Sequence, residues 1–424
     1  MYIGRMASFT IACRCGERYH VDDTQTGRQL ACRRCGNRLE VLRPTGGPGS
    51  EAKPARKVRI RRTARHHKDS TQTPYTQPLM IPRTFRWRVA AVLAWGYLGV
   101  VLLVAVALWG LGDRTTLGTV LLFMGRWVFL LPLALLVPLV GWLRARHLLP
   151  LAIGALIVLG PVMGFRTGWR RLLPAPSGDR VRVVSFNVGG DGVSPRLLPI
   201  ELDRWQAQIV AIQECGEALT AAVKLLPGWH VHTSRDLCFL SRYPIRDAAA
   251  MDRSKLDRIK QSQPDEPGGA GYVVRFVLDG PRGPIRAANL HLETPRKGLE
   301  GLMSRDVRRL HNNTDIREIE SRLAREWISS GTGPLLVLGD FNTPVESVFF
   351  RNDWGDLADA FSVAGMGFGY TKHNGWIDAR IDHVLASDEW HVDRATVDSQ
   401  KLSDHSALIV DLTLRATPPR AASR

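Results

Sequence analysis

The chain has 424 residues, of which 45% are hydrophobic and 23% charged, and this composition excludes a disordered or collagen-like protein. Its length leaves room for two or three domains. The positive charge belongs to the front of the chain, because residues 1–176 carry a net charge of +19 and residues 177–414 one of −5. Since phosphate contacts dominate affinity for DNA, the acidic C-terminal region argues against nucleic acid as its substrate.

Residues 1–42 contain two cysteine pairs, Cys13 with Cys15 and Cys32 with Cys35, and a glycine follows each pair. Four thiolates on two turns match the pattern of a zinc ribbon, in which glycine lets the backbone fold around the metal. The first pair is one residue shorter than the usual spacing, and two disulfides in a small secreted module are the alternative. A module of this size cannot be stabilised by burial alone, so we expect bound Zn to contribute the folding free energy.

Residues 43–88 are rich in Pro, Gly, Thr, Arg and Lys and show no apolar period, which predicts a disordered basic linker. Residues 53–68 form its densest basic run. Such a run attracts anionic lipid headgroups or nucleic acid, or it is only a solvated linker. Because an apolar segment follows closely, we favour a juxtamembrane position on the cytoplasmic side.

Three apolar runs follow, at residues 89–111, 127–143 and 148–165. The first holds no charge and is long enough to cross a hydrocarbon core of about 30 Å as a helix. Each run could be a buried core helix, but three in succession with Trp and Arg at their ends predict a multi-pass membrane segment. A basic N-terminus then lies in the cytoplasm and the C-terminal region outside it, although Arg166, Arg170 and Arg171 argue for the reverse.

Residues 177–414 alternate predicted strands and helices, which indicates an α/β domain. The predicted strands are 182–188, 209–214, 237–241, 271–278, 285–292, 335–338, 381–386 and 407–414, and the predicted helices are 195–208, 218–226 and 306–329. Polar residues stand next to the ends of most strands, namely Asn187, Glu214, His291, Asp340, Asn342, Asp404 and His405. A turn or a helix cap explains each one alone, but together they predict a single polar site.

Six motifs carry these residues in a fixed order: Ser-Phe-Asn-Val at 185–188, Gln-Glu at 213–214, His-Leu-Glu-Thr at 291–294, Gly-Asp-Phe-Asn-Thr-Pro at 339–344, Arg-Ile-Asp-His-Val-Leu at 380–385 and Ser-Asp-His-Ser-Ala-Leu at 403–408. The ordered set resembles the endonuclease/exonuclease/phosphatase superfamily, which has the DNase I-like fold. The resemblance implies a four-layered α/β/β/α sandwich over residues 177–414, a short tail at 415–424, and a divalent metal, Mg or Mn.

The resemblance also implies a role for each motif residue. Glu214, with Asn187 and Asp404 nearby, is expected to bind Mg, which prefers carboxylate oxygens and keeps several waters. The expected catalytic residues are Asp340 to orient or deprotonate the attacking water, Asn342 to hold that water or a phosphoryl oxygen, and His405, supported by Asp382, together with His291 to contact the phosphate. His405 is the alternative general base.

Apolar spans in front of such a domain look like a membrane-anchored bacterial branch of the superfamily that is linked to phosphorylated lipids, including polyprenyl pyrophosphate carriers and glycopeptide resistance. We therefore expect a Mg-dependent phosphohydrolase that acts on a lipid phosphate or diphosphate. The alternatives are a membrane-tethered endonuclease or phosphodiesterase, and a catalytically silent zinc-ribbon membrane adaptor. Cys215 and Cys238 belong to adjacent predicted strands and either pair or remain buried thiols.

Overall fold

A computed structural model describes residues 8–42, 83–190, 192–261, 272–375 and 377–415. The chain forms two compact units that divide near residue 78. The predicted linker up to residue 82, its basic run at 53–68, the first residue of the predicted strand 271–278 and the tail after Arg415 lie outside the described residues.

The N-terminal unit consists of two antiparallel hairpins. Strand β1 (Ser8–Ala12) pairs with β2 (Arg18–Asp22), and β3 (Gln29–Ala31) pairs with β4 (Arg38–Glu40). Among the described residues of this unit, the buried side chains are those of Val21, Val41, Cys13 and Cys32. Two valines are too small an apolar core to stabilise a module of this length by burial alone.

Four helices open the second unit: α1 (Arg83–Val106), α2 (Thr116–Phe123), α3 (Leu131–Arg144) and α4 (Leu148–Ile157). Helix α1 begins before the predicted position 89, because the residues there already pack on α3. The Arg86 guanidinium lies 4.5 Å from the Trp142 ring, and the Arg144 guanidinium lies 3.8 Å from the Trp87 ring. These reciprocal cation–π contacts join the start of α1 to the end of α3.

Two helical stretches of the described residues, Thr84–Arg114 and Arg126–Val162, are long and apolar enough to cross a membrane by length and composition. The structure does not show three separate membrane-length stretches among the described residues. The predicted spans 127–143 and most of 148–165 both fall within the second stretch. Extended backbone at Arg144 (φ −167°, ψ 101°) separates α3 from α4 inside it. Gly154 of α4 packs against the Tyr97 ring of α1, where a Cβ would lie 2.6 Å from the ring. The outward side chains of these helices are apolar too, including Val92, Leu103, Leu135, Trp142, Leu149 and Leu156.

The rest of the second unit alternates strands and helices. The strands are β5 (Arg166–Thr167), β6 (Gly178–Gly190), β7 (Ile209–Cys215), β8 (His230–Ser234), β9 (Leu237–Ser241), β10 (Ile245–Ala250), β11 (Tyr272–Gly280), β12 (Gly283–His291), β13 (Leu335–Asp340), β14 (Ala358–Asp359), β15 (Met366–Gly367), β16 (Lys372–Asn374), β17 (Ile377–Ala379), β18 (Asp382–Ala386), β19 (Trp390–Val397) and β20 (Leu408–Arg415). The helices are α5 (Leu198–Trp205), α6 (Glu217–Val223), α7 (Ser254–Gln261), α8 (Arg296–Met303), α9 (Val307–Ser329), α10 (Val348–Trp354) and α11 (Ala360–Ala364).

Two mixed six-stranded sheets pack face to face. Their strand orders are β10-β11-β12-β13-β18-β14 and β19-β20-β6-β7-β9-β8. Apolar side chains of both sheets meet in one core, where the Phe239 and Phe276 rings stack at 3.9 Å. Buried Trp205 of α5 and Trp354 of α10 lie in separate apolar clusters on the outer faces. This arrangement confirms the predicted α/β/β/α sandwich, and each buried aromatic side chain contributes about 2 kcal/mol through burial.

The sheet topology brings the polar strand ends together. Strands β6 and β7 are parallel, with Asn187 opposite Gln213, and β12 and β13 are parallel, with His291 opposite Asp340. Strand β18 runs antiparallel to β13 and starts with Asp382 opposite Asp340. Carboxyl ends of parallel strands meet at one edge, so residues distant in sequence share that edge of the sandwich.

Candidate active site

Asn187 joins two carboxylates at the end of β6. Its Nδ2 donates to Oε1 of Glu214 at 3.0 Å and to Oδ2 of Asp340 at 2.9 Å. Its Oδ1 accepts the backbone N–H of Gly189 at 3.0 Å, which fixes the orientation of the amide. One buried side chain thereby holds the carboxylates of both sheets at defined positions.

Glu214 stands next to a disulfide. Cys215 at the end of β7 is bonded to Cys238 of β9, so the two cysteines pair and are not free thiols. Glu214 itself has a positive φ of 53°, a conformation that is uncommon for residues other than glycine and clusters at functional sites. Its side chain remains 40% exposed, and it lines the cleft above the strand ends.

Asp340 ends β13 and is held by the turn that follows it. Its Oδ1 accepts the backbone N–H of Asn342 at 2.8 Å, and Asn342 has a φ of 50°. The Asn342 Nδ2 donates to the Leu292 carbonyl at 2.8 Å, which ties this turn to the end of β12. Burial and the charge of Asp382 raise the pKa of Asp340, against the opposing effect of two nearby histidines.

His405 lies between two aspartates. Its Nδ1 is 2.8 Å from Oδ2 of Asp382, and its Nε2 is 3.7 Å from Oδ2 of Asp340. Burial lowers the pKa of His405, but the two carboxylates outweigh it and the pKa lies above its usual value. Burial likewise raises the pKa of Asp382, but the His405 charge and hydrogen bond bring it below its usual value. Both shifts favour the pair in its charged form, an imidazolium next to a carboxylate.

His291 faces three carboxylates. Its Nε2 lies 3.7 Å from Glu214 and 3.8 Å from Asp340, and its Nδ1 lies 3.4 Å from Oδ2 of Asp236. Burial lowers its pKa, but these acidic neighbours outweigh that effect and raise the pKa to about 9. Asp236 was not predicted, because it precedes β9 without any motif around it.

All eight residues predicted for the catalytic and Mg sites lie together. Six line one cleft of about 750 Å³, namely Glu214, His291, Asp340, Asn342, Asp404 and His405. Asn187 and Asp382 contact them from the buried side. Asp404 pairs with Lys372, which also lines the cleft; burial raises the pKa of Asp404, but Lys372 brings it below its usual value. His383, for which no catalytic function was predicted, is buried, with its ring nitrogens 3.0 Å from Asp359 and 2.9 Å from the Thr343 carbonyl.

The donor set fits a divalent cation. Glu214 offers a hard carboxylate oxygen that is accessible from the cleft, and Asp404 offers another across it. Asn187 donates its amide hydrogens to the carboxylates of Glu214 and Asp340. Its more direct contribution is therefore to orient groups that can bind the metal, rather than to bind the metal itself. A second group of close donors consists of Asp340, Asp382 and His405, whose ligand atoms lie within 4.8 Å of one another. A cation bound to Glu214 would polarise a phosphoryl oxygen in the cleft.

A sequence model of the Endonuclease/Exonuclease/phosphatase family matches residues 184–405, more than half of the chain and the stretch that holds every residue of this site. The chain belongs to the endonuclease/exonuclease/phosphatase family. Membership makes it a metal-dependent hydrolase of phosphoester bonds, since the family is generally dependent on a divalent metal.

Solved structures that are similar to this family member have low sequence identity to it and TM-scores below 0.5. An endonuclease/exonuclease/phosphatase from Beutenbergia cavernae is 15% identical, with a TM-score of 0.42 over 57% of this chain and 73% of that chain. A family protein from Bacteroides thetaiotaomicron is 16% identical, with a TM-score of 0.40 over 57% and 98%. A humanized D. rerio TDP2 is 14% identical, with a TM-score of 0.43 over 55% and 99%. No curated protein matches the chain.

The segment between the apolar helices of this hydrolase docks beside the cleft. Buried Asp113 accepts the Val348 backbone N–H at 3.0 Å and the Ser347 hydroxyl, and Ser347 caps α10. Gly112 packs so closely there that a Cβ would lie 3.2 Å from the Val348 nitrogen. The contact holds the stretch that directly follows Asn342, and the sequence contains no motif that signals it.

A buried ion pair strengthens the same contact. Arg126 lies 3.2 Å from Glu346, and both side chains are at least 90% buried. Burial raises the pKa of Glu346, but the Arg126 charge keeps it below its usual value. Removing one partner of such a pair costs about 3–5 kcal/mol, because the remaining charge is buried without compensation.

The four cysteines of the N-terminal unit form one cluster, whose sulfurs lie within 4.8 Å of one another. Cys13 and Cys35 are 3.5 Å apart at Sγ, and so are Cys15 and Cys32. Tetrahedral thiolates at about 2.3 Å from a metal lie about 3.8 Å apart, so these sulfurs could bind one ion. Tyr19 donates its hydroxyl to the Cys32 sulfur at 3.3 Å, outside the ligand set.

Proposed function

We propose that this protein is a membrane-anchored, Mg-dependent phosphohydrolase that cleaves a phosphate ester or diphosphate of a lipid by in-line attack of water. The observation that supports a lipid substrate most directly is the docking of the inter-helix segment beside the cleft, through Asp113 and Arg126. A hydrolase whose cleft adjoins its own apolar helices would meet its substrate at the bilayer surface. The net charge of −5 on residues 177–414 disfavours a nucleic acid in the same cleft.

The chemistry follows from the arrangement of the buried groups. Oδ2 of Asp340 accepts a proton from the attacking water, and a carboxylate with a raised pKa is better matched to this task. His405 and His291, both favoured as cations, stabilise the charge that develops on the phosphoryl oxygens. Mg at Glu214 supplies Lewis-acid polarisation of the phosphoryl group.

The cysteines support an orientation. A cluster of four reduced thiolates suits the cytoplasm, and we propose that it holds Zn as a zinc ribbon. The Cys215–Cys238 disulfide suits an oxidising compartment. An even number of membrane crossings would place the cysteine cluster and the disulfide on the same side of the membrane. This orientation therefore requires an odd number of crossings, and α3 and α4 are the segment in which to test it. A reporter fused after Arg424 that is active only outside the cytoplasm would agree with the proposal, and activity only inside would refute it.

The decisive assay uses the full chain in detergent, because Asp113 joins the helical segment to the catalytic region. We expect phosphate release from a polyprenyl diphosphate in Mg²⁺ and none from Asp340→Ala or Glu214→Ala proteins. Phosphatidyl lipid cleavage and nicking of DNA are measured in parallel. Faster nicking of DNA than lipid turnover would identify a tethered nuclease, and equal rates for wild type and both variants in every assay would indicate a silent adaptor.

A further inference from the structure

The active-site cleft is lined by apolar side chains as well as by the catalytic residues. Phe123, Leu299, Met303 and Ile377 are its large apolar members outside the motifs, and the charged residues Arg296, Lys297 and Glu300 lie beside Leu299 in the lining. A phosphoryl group needs only a small part of about 750 Å³, and pockets of this size usually enclose a ligand with a substantial apolar portion. The lining therefore indicates a substrate that carries hydrocarbon next to its phosphate.

The apolar lining of the cleft comes from two separate parts of the chain. Phe123 is the last residue of α2, which connects the two membrane-length stretches. Its ring lies 5.1 Å from the Arg317 guanidinium, and Arg317 donates to the Asn342 carbonyl at 3.2 Å. Phe123 is thus connected through one side chain to the turn that carries a catalytic residue.

Helix α8 contributes the other part, in which Leu299 is half-buried and Met303 is exposed. Its glycines, Gly298 and Gly301, pack against α9, where a Cβ would lie within 2.8 Å of Asn313 or Arg309. Leu299 and Met303 are one helical turn apart on another face, and Met303 is 88% exposed. These two side chains are not needed to attach the helix, which leaves them available to a ligand.

We propose that Phe123, Leu299 and Met303 bind the hydrocarbon chain of the substrate, and that Phe123 and Met303 determine the preference for long-chain over short-chain phosphates. The inference rests on the proposed function and names the part of the lipid that this cleft recognises. Because these three side chains line the same cleft as the catalytic residues, the occupant is the substrate's own hydrocarbon chain.

The test compares two substrates with the same diphosphate head, a long polyprenyl diphosphate and dimethylallyl diphosphate, both presented to the full chain in the same detergent micelles. Met303→Ser and Phe123→Ala proteins are expected to lose about tenfold in kcat/KM for the long chain and less than about twofold for the short one. Met303→Leu is expected to retain the wild-type ratio. Leu225→Ser is the matched control, because Leu225 is 84% exposed and does not line the cleft.

The Met303→Ser result is decisive, because Met303 is as exposed as Leu225. Its replacement is therefore expected to affect folding no more than Leu225→Ser does. Equal changes for both substrates, or an unchanged ratio, would refute the inference while leaving the hydrolase assignment intact. A wild-type protein that hydrolyses neither diphosphate but remains active on another phosphoester would instead refute the proposed function, and the inference with it.

Discussion

Oδ2 of Asp382 lies 2.8 Å from Nδ1 of His405, so the other ring nitrogen is directed toward Asp340 and the cleft. An Asp382→Asn protein would keep the shape of this pair but lose the charge that favours the imidazolium. At a temperature where both proteins are folded, we expect kcat to fall at least about 100-fold, since acid–base groups contribute 10²–10⁴-fold. Loss of this buried carboxylate should also lower the thermal midpoint. Steady-state kinetics and a melting curve on the same sample measure both.

A second His–Asp pair provides the control. Nδ1 of His391 lies 2.7 Å from Asp393 in β19, and neither residue lines the cleft. Asp393→Asn should leave kcat within about twofold. Equal losses from the two substitutions would mean that Asp382 acts through stability alone.

Metal removal tests the site at Glu214. Chelation with EDTA should abolish hydrolysis, and Mg²⁺ or Mn²⁺ should restore it, because a hard carboxylate at the cleft binds such ions. Glu214→Gln should raise the Mg²⁺ concentration for half-maximal rate by about tenfold or more, since changes around metal ligands typically cost 10–100-fold. Glu217→Gln, a nearby change outside the cleft, serves as the control. Full activity in excess EDTA would contradict a metal-dependent reaction here.

The helical segment should influence catalysis from outside the cleft. Asp113→Ala removes the acceptor for the Val348 N–H and the Ser347 hydroxyl, and buried donors left without partners cost about 1–3 kcal/mol each. We expect kcat to fall about tenfold with little change in KM, because the turn that precedes Ser347 carries Asn342. Arg114 is the exposed neighbour of Asp113, and Arg114→Ala should leave kcat and KM unchanged. Unchanged kinetics in Asp113→Ala would show that docking does not position the site.

The motifs predicted which residues meet at the cleft, because each one stands near a strand end, where local sequence and sheet geometry coincide. Asp113, Phe123 and Asp236 escaped prediction, since their contacts are set by tertiary packing. Asp113 meets Ser347 across 234 positions, and no periodicity encodes that distance. The prediction of three membrane spans is not shown by the structure, which has two apolar stretches among the described residues. Hydropathy locates apolar residues, but it does not show where extended backbone such as that of Arg144 divides a helical stretch.

The cysteine cluster predicts one bound metal per chain. A protein purified without chelator should contain about one equivalent of Zn, and Cys13→Ser with Cys35→Ser should remove it. Cys215→Ser with Cys238→Ser is the matched control, because these two sulfurs are bonded to each other and leave the cluster intact. Elemental analysis of the three proteins gives the answer, and loss of Zn from the control alone would contradict the cluster assignment.

Asp359 makes the stability of the catalytic region depend on pH. Burial raises its pKa, but a hydrogen bond with His383 and the charge of Arg380 outweigh this and bring it well below its usual value. A lowered native pKa stabilises the fold above the unfolded value of about 3.9, and the contribution is lost as pH falls below it. At pH 7 we expect Asp359→Asn to lower the thermal midpoint by about 5 °C. The difference in midpoint between wild type and variant should narrow below about pH 3.5, and tryptophan fluorescence measures both midpoints. Asp279→Asn, which breaks an exposed pair with Arg246, should change the midpoint by less than about 1 °C at either pH. A midpoint difference for Asp359→Asn that stays constant from about pH 7 to about pH 3 would show that folding does not lower the pKa of Asp359.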